Sequence, residues 1–385
     1  MTSFLVFIIL VLIGIAVWQL TKIFDLTQIG GSSSNDEIAN DKDNSVNGYL
    51  MFAFVGFIYV FTIYSLYAWG DLVLGTPASE HGPDYDNLMY ISFAIIFFVQ
   101  TITQFLLHYF AFKYRGKEGQ KALYFADNNK LEAVWTIIPV IVLAGLIMYG
   151  LYTWNNIMFV DEEDKQDAII IELYAKQFGW EARYAGDDKT LGKANVRLIE
   201  GINTLGVDLA DPAAQDDKVV TELHLPVGKK VIFKMRSQDV LHSAYMPHFR
   251  AQMNCVPGMI TQFSFTPTVT TADMRADEAI MAKVNKINKI RTENSKKIVA
   301  DGGTALDPYT FDYLLLCNKI CGASHYNMQM KIVVDTPAEF KAWLAEKPTL
   351  AQQWKEANAP APVAAPTEAP VAAVDSTKVV AQVIK

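Results

Sequence analysis

Four stretches without a single charged residue fill most of the first 160 positions: Thr2 to Thr21, Tyr49 to Gly70, Leu88 to Phe112 and Ala133 to Val160. Each reaches the ~20 residues that an α-helix needs to cross the ~30 Å hydrocarbon core of a bilayer. One such run alone would read equally well as a buried helix of a soluble protein. Four in succession predict a transmembrane α-helical domain over residues 1–160. Trp18, Trp69, Trp135 and Trp154 fall near run ends, where an amphipathic ring suits the headgroup layer. The first run lacks a basic leading segment, so it reads as a retained helix rather than a signal peptide.

The distribution of Lys and Arg sets the orientation. The loop between the third and fourth runs holds Lys113, Arg115, Lys117, Lys121 and Lys130, whereas Asp71 to Asn87 holds neither residue type. Positive loops stay in the cytoplasm. Four crossings then place both termini, and everything after residue 160, outside it. The net charge of -8, with no basic stripe interleaved with aromatics, argues against nucleic-acid binding.

Past an acidic linker, Asp161 to Asp167, the chain changes character. Ile169 to Tyr174, Trp180 to Tyr184, Val219 to Leu225, Lys230 to Met235, Ile260 to Phe265, Phe311 to Leu316 and Met330 to Val334 are rich in β-branched and aromatic residues, with Gly, Pro, Asn and Asp between them. Such runs predict an all-β antiparallel sandwich or Greek-key barrel over residues 168–346, closed by a helix from Pro337 to Glu346. Asp273 to Val299 carries seven Lys and Arg residues, with Ile280, Val284 and Ile287 at helical spacing. It reads as a basic helix inserted between strands, either solvated or docked on a partner. From Ala357 onward Ala, Pro, Val and Thr dominate, a low-complexity tail that cannot bury a core.

All three cysteines, Cys255, Cys317 and Cys321, fall in the extracytoplasmic part, where thiols pair or bind metal. Cys317-Asn-Lys-Ile-Cys321-Gly-Ala-Ser-His325-Tyr-Asn-Met328 sets two thiols, an imidazole and a thioether on one loop after a predicted strand. Asp239-Val-Leu-His242 offers a second imidazole from another strand end. Thiolate and thioether beside imidazole select copper over hard cations. A small-loop disulfide and a zinc site are the competing readings, but zinc gains little from the methionine. A mononuclear blue-copper site needs only one cysteine. Two Cys, two His and a Met together fit a dinuclear copper centre with bridging thiolates. Cys255 reads as a small buried hydrophobe, and His81, His224 and His248 as surface residues. Gln100, Gln104 and His108 recur every four positions and so share a helix face, which should turn from lipid toward protein.

On these motifs the chain resembles subunit II of the haem-copper cytochrome c oxidases. The resemblance rests on Cys-x3-Cys-x3-His-x2-Met, on Asp239-Val-Leu-His242-Ser, on Val256-Pro257-Gly258-Met259, and on Leu131-Glu132-Ala-Val-Trp135-Thr-Ile-Ile-Pro139. It spans roughly residues 88–346 and leaves out the first two helices, the basic insertion and the tail. It implies a cupredoxin-like fold and a bacterial inner-membrane protein whose copper domain is periplasmic. Cys317 and Cys321 would bridge both coppers of a CuA centre, His242 and Met328 completing one and His325 and the Lys319 carbonyl the other. Electrons would come from a cytochrome c, or a complex bearing one, by way of Phe178 and Trp180. They would pass to haem a in subunit I, which also holds a further copper where oxygen is reduced. Glu132 would stand at a proton entrance of that proton-pumping oxidase, and other oxidase subunits and lipid would be its remaining neighbours. The family carries Glu where this chain has Lys319 and Asp where it has Asn254, side chains that serve a magnesium or manganese ion. That ion is therefore expected to be missing, with the Lys319 ammonium in its place. A quinol oxidase subunit would lack the copper ligands, and a nitrous oxide reductase would lack the four spans. A copper chaperone would need neither the spans nor Glu132.

Overall fold

The computed structural model describes residues 2–29, 41–70, 73 and 75–359. They form two compact units. The first contains α1 (Thr2–Ile29), α2 (Asp41–Trp69), α3 (Gly82–Lys113) and α4 (Asn129–Met158). The last three are long and apolar enough to cross a membrane, and α1 contributes a shorter apolar stretch, Phe7–Thr21, among the described residues. The second, third and fourth helices start before the expected apolar runs because polar first turns are helical too. In α4, Asn128 caps that turn by accepting from the N–H groups of Lys130 and Leu131, donors a helix leaves unpaired.

At Gly48 of α2 the ring of Phe112 from α3 fills the space of a side chain, since a Cβ there would lie 2.5 Å from it. Tyr49 and Phe52 flank that ring at 5.0 and 5.4 Å. Asp41 accepts from Glu118 N–H (2.8 Å), Asn44 donates to Gly116 O (3.2 Å) and Arg115 donates to Ser45 Oγ (3.2 Å). These bonds hold the start of α2 beside the lysine-rich loop. On α3, His108 is buried with Nδ1 at 2.8 Å from Gln104 O, whereas Gln100 is exposed.

A short helix α5 (Glu162–Asp167) lies within the acidic linker and precedes the β-sandwich. Its strands are β1 (Ile169–Lys176), β2 (Gly179–Tyr184), β3 (Lys218–Val220), β4 (Leu223–Pro226), β5 (Val231–Ser237), β6 (His242–Met246), β7 (Ala251–Cys255), β8 (Thr261–Phe265), β9 (Tyr313–Cys317) and β10 (Gln329–Asp335). They form two sheets, ordered β3-β2-β1-β5-β8 and β4-β10-β9-β6-β7. Three expectations need correcting. The run Val219 to Leu225 is two strands in different sheets, broken at Thr221 and Glu222. The sheets are mixed, with β1 parallel to β5 and β10 parallel to β4. Strands β6 and β7 were not foreseen, because His242-Ser-Ala and Gln252-Met-Asn lack β-branched residues and owe their extension to pairing with neighbours.

The basic segment also differs from expectation. It forms α6 (Thr271–Ala276) and α7 (Glu278–Ala300) rather than one helix. The break is at Asp277, extended at φ -62° and ψ 132°, whose carboxylate accepts from Ile280 N–H and so starts a new helix.

On the outer face of the first sheet, beneath the β2–β3 connection, Arg183 is 2% exposed. It donates to Glu172 (2.6 Å), Asp217 (2.8 Å) and Gly192 O (2.9 Å), while Arg236 takes the other Glu172 oxygen. Burial pushes the Asp217 carboxyl up to about 6, against the pull of Arg183. After β10 come α8 (Pro337–Ala345) and α9 (Leu350–Ala357), both opened by capping boxes. Helix α9 was not anticipated; it buries Leu350 against Tyr174, Leu205 and Val207. Contrary to expectation His224 is buried, stacked at 3.9 Å on Trp343 and 2.5 Å from Asp335. His81 and His248 are half-buried rather than surface residues. The Ala- and Pro-rich tail lies outside the described residues from position 360.

Candidate metal centre

Three strand ends and one loop build the centre. Strand β6 opens on His242, which is fully buried, and β9 ends on Cys317. The two strands pair, Ala244 opposite Cys317, so imidazole and thiol leave neighbouring strands at the same end. The loop returns to β10 through a 3-10 turn over His325–Asn327. It is closed by Cys317 N–H to Met328 O (3.1 Å) and tied to β6 by Asn318 N–H to Ser243 O (3.0 Å).

The donor atoms lie at ligand spacing. Cys317 Sγ and Cys321 Sγ are 3.9 Å apart. His242 Nδ1 is 3.7 Å from Cys317 Sγ, and the Lys319 carbonyl is 3.2 Å from the same sulfur. His325 Nδ1 and Met328 Sδ lie 3.6 and 3.7 Å from Cys321 Sγ. A tetrahedral ion with ~2.3 Å bonds to sulfur and ~2.0 Å bonds to nitrogen has S···S edges of about 3.8 Å and S···N edges of about 3.5 Å. The cluster therefore fits metal coordination. A disulfide does not fit, because its sulfurs stand ~2.05 Å apart, and all three cysteines are free. Burial and the neighbouring Cys317 push the Cys321 thiol up to about 11. A metal must therefore displace a proton there.

Around the ligands are residues that the sequence reading did not single out. Asp239 lies 2.8 Å from His242 Nε2, leaving Nδ1 to face the sulfurs. The same carboxylate accepts from Gln177 N–H (2.8 Å), and the Gln177 side chain donates to Cys321 O. Gly322 has φ +139°, and a Cβ there would lie 2.9 Å from the Phe178 ring. A glycine lets that ring close over the loop. Two signals were readable: a carboxylate three residues before a ligand histidine, and a glycine directly after a ligand cysteine.

The remaining candidate residues spread outward. Trp180 is 5% exposed and meets the His242 ring edge-on at 6.3 Å; Phe178 is 39% exposed. Ile320 and Tyr326, at 87% and 88% exposed, give the loop an apolar outer rim. The side chains of Lys319 and Asn254 are exposed. Cys255 is buried opposite His242 in the β6–β7 pair, as expected of a small hydrophobe. Glu132 is exposed in the first turn of α4.

A family model for the transmembrane domain of cytochrome C oxidase subunit II matches residues 76–153, and the model for that subunit's periplasmic domain matches 170–272. The alternative cytochrome c oxidase subunit 2 of Bradyrhizobium diazoefficiens is 34% identical over 278 residues, covering 72% of this chain and 84% of that protein. Cytochrome c oxidase subunit 2 of Thermostichus vulcanus is 25% identical over 304 residues, covering 72% and 80%. Among solved structures, the periplasmic domain of cytochrome oxidase subunit II from Bradyrhizobium japonicum aligns with a TM-score of 0.26 at 18% identity, over 46% of this chain and 91% of that one. The loop Cys317 to Met328 lies beyond the matched periplasmic segment.

Proposed function

This chain belongs to the cytochrome c oxidase subunit II family, and from that premise we propose that it carries electrons from a cytochrome c to haem a of subunit I through a dinuclear copper centre. It is a membrane protein with a periplasmic domain and a component of a haem-copper terminal oxidase, an oxidoreductase. The single observation that carries the electron-transfer reading is the cluster of two thiols, two imidazoles and a thioether with 3.6–3.9 Å between neighbours. When bound, copper would supply the one-electron couple, and sharing the electron between two ions through thiolates keeps reorganisation small.

The protein's share is positioning. Cys317, Cys321, His242, His325, Met328 and the Lys319 carbonyl would hold the two ions, and Asp239 holds the His242 ring. The family's Glu is replaced by Lys319 without consequence for copper, because the ligand atom there is a backbone carbonyl. Phe178, over Gly322, and Trp180, edge-on to His242, would carry electrons inward, and the apolar rim of Ile320 and Tyr326 would exclude water from an approaching partner. Glu132, in the first turn of α4 beside the lysine-rich loop, is proposed at a cytoplasmic proton entrance of subunit I. Domain limits of 1–160 and 168–346, with the tail following, are proposed on the same basis.

The test is rapid mixing of the intact oxidase with reduced cytochrome c while haem a absorbance is followed. Haem a should be reduced promptly in the wild type and should stay oxidised in Cys321→Ser. Equal reduction in both would overturn the proposal.

A further inference from the structure

The insertion between β8 and β9 is an ordered arm with two unlike faces. Helix α7 spans 23 residues, about 35 Å at ~1.5 Å per residue. Residues 303–311 return along it, bonded to side chains at helical spacing. Asn288 pairs with both the N–H and C=O of Tyr309 (2.7 and 3.0 Å), Arg291 donates to Asp307 O (2.8 Å), and Ser295 accepts from Leu306 N–H (2.9 Å). Residues 288, 291 and 295 share one face. Beside them Ile280 is buried, and Val284, Ile287 and Ile298 are half-buried. This face is thus committed to contacts within the chain.

The opposite face carries Lys286, Lys289, Lys296 and Lys297, all exposed, with Ala282, Glu293 and Ala300 among them. Among the described residues, Lys289, Lys296 and Lys297 make no ion pair. Between positions 283 and 297 there are six cations and one anion, on a chain whose net charge is -8. The face thus turns four lysines against one glutamate to solvent, a net positive surface. The arm starts at Asp277, which Thr76 contacts at 3.4 Å. Thr76 lies in the loop between α2 and α3, at the end of those helices away from the lysine-rich loop, and hence on the extracytoplasmic side.

We infer that the lysine face of α7 docks the acidic surface of a partner protein outside the cytoplasm. Lipid headgroups fit less well. A helix lying on a bilayer buries an apolar face in it, whereas here Ile280, Val284, Ile287 and Ile298 turn inward on the strap side and Ile290 is the one large apolar side chain exposed among the lysines. Charge complementarity of this kind mainly speeds association and fixes orientation.

The experiment places a photo-crosslinking benzoylphenylalanine at Ala282 or Ala300 of the full chain in native membranes, with Val284 as the inward control. The expected result is one protein adduct from the two outer positions, mapped to an acidic stretch of the partner. Its yield should fall on the order of tenfold in the variant Lys286→Glu, Lys289→Glu, Lys296→Glu, Lys297→Glu. It should persist when the same four become Arg, and return in the Glu variant when the contacted carboxylates are exchanged for Lys. A Gln version serves if the Glu variant does not accumulate. Adducts with lipid alone, no adduct, or a protein adduct indifferent to these exchanges would each overturn the inference.

Discussion

Removing the carboxylate behind His242 probes whether the ligand set is held rigid by its surroundings. Asp239 lies 2.8 Å from the ring nitrogen of His242 that faces away from the sulfurs, and 2.8 Å from the amide of Gln177, whose side chain in turn holds Cys321 O. A hydrogen bond to a charged group contributes about 1.5–3 kcal/mol. In Asp239→Ala the His242 ring loses one such bond and the Gln177 anchor another. Copper retention should therefore fall roughly 10- to 100-fold, the usual range for a residue that orients a metal ligand. Asp239→Asn keeps an acceptor of the same shape but no charge, and should lose about fivefold, half or less of that free energy. The assay is copper remaining in the purified oxidase against a graded series of copper(I) chelator, with the EPR hyperfine pattern recorded alongside. Retention and hyperfine pattern unchanged in Asp239→Ala would refute the reasoning, since His242 would then be oriented by something else.

Three further outcomes follow from the structure. Arg183→Leu leaves Glu172 and Asp217 buried without their shared cation and should lower stability to denaturant by about 3–5 kcal/mol; a loss under 1 kcal/mol would show that the network is not a stabilising element. His248 is held down to about 4, from 6.5, by burial and by Lys283 and Arg250. The unfolded chain binds that proton first, so this contribution is intact above pH 6.5 and lost as pH falls toward 4. The stability difference between wild type and His248→Asn should shrink across that window, and a pH-independent difference would contradict it. The third concerns Lys319 and Asn254, which supply no carboxylate where magnesium would need one. Metal analysis of the oxidase should find no magnesium or manganese ion beside them, and an ion there would end the idea that the ammonium replaces it.

What the sequence made legible depended on how local the cause was. Membrane helices follow from composition over about 20 consecutive residues, and the metal loop keeps five of its six donors within Cys317 to Met328. Long-range causes were less legible. Strands β6 and β7 are extended because neighbours pair with them, and His224 is buried because Trp343, far along the chain, stacks on it. Asp239 was legible as a carboxylate three residues before a ligand histidine, but its tie to the Gln177 amide, 62 residues away, appears only once the chain folds. The break at Asp277 was readable as a capping residue, but the helical spacing of Ile280, Val284 and Ile287 masked it.

The central claim is most directly tested by counting metals in the intact oxidase and recording its EPR spectrum, with Cys317→Ser and Cys321→Ser as references. The account predicts that wild type holds two more coppers per complex than either variant. It also predicts a mixed-valence signal, one electron shared between two coppers, that both variants lose. A single zinc in this chain, or a Cys317–Cys321 disulfide in the native complex, would contradict it.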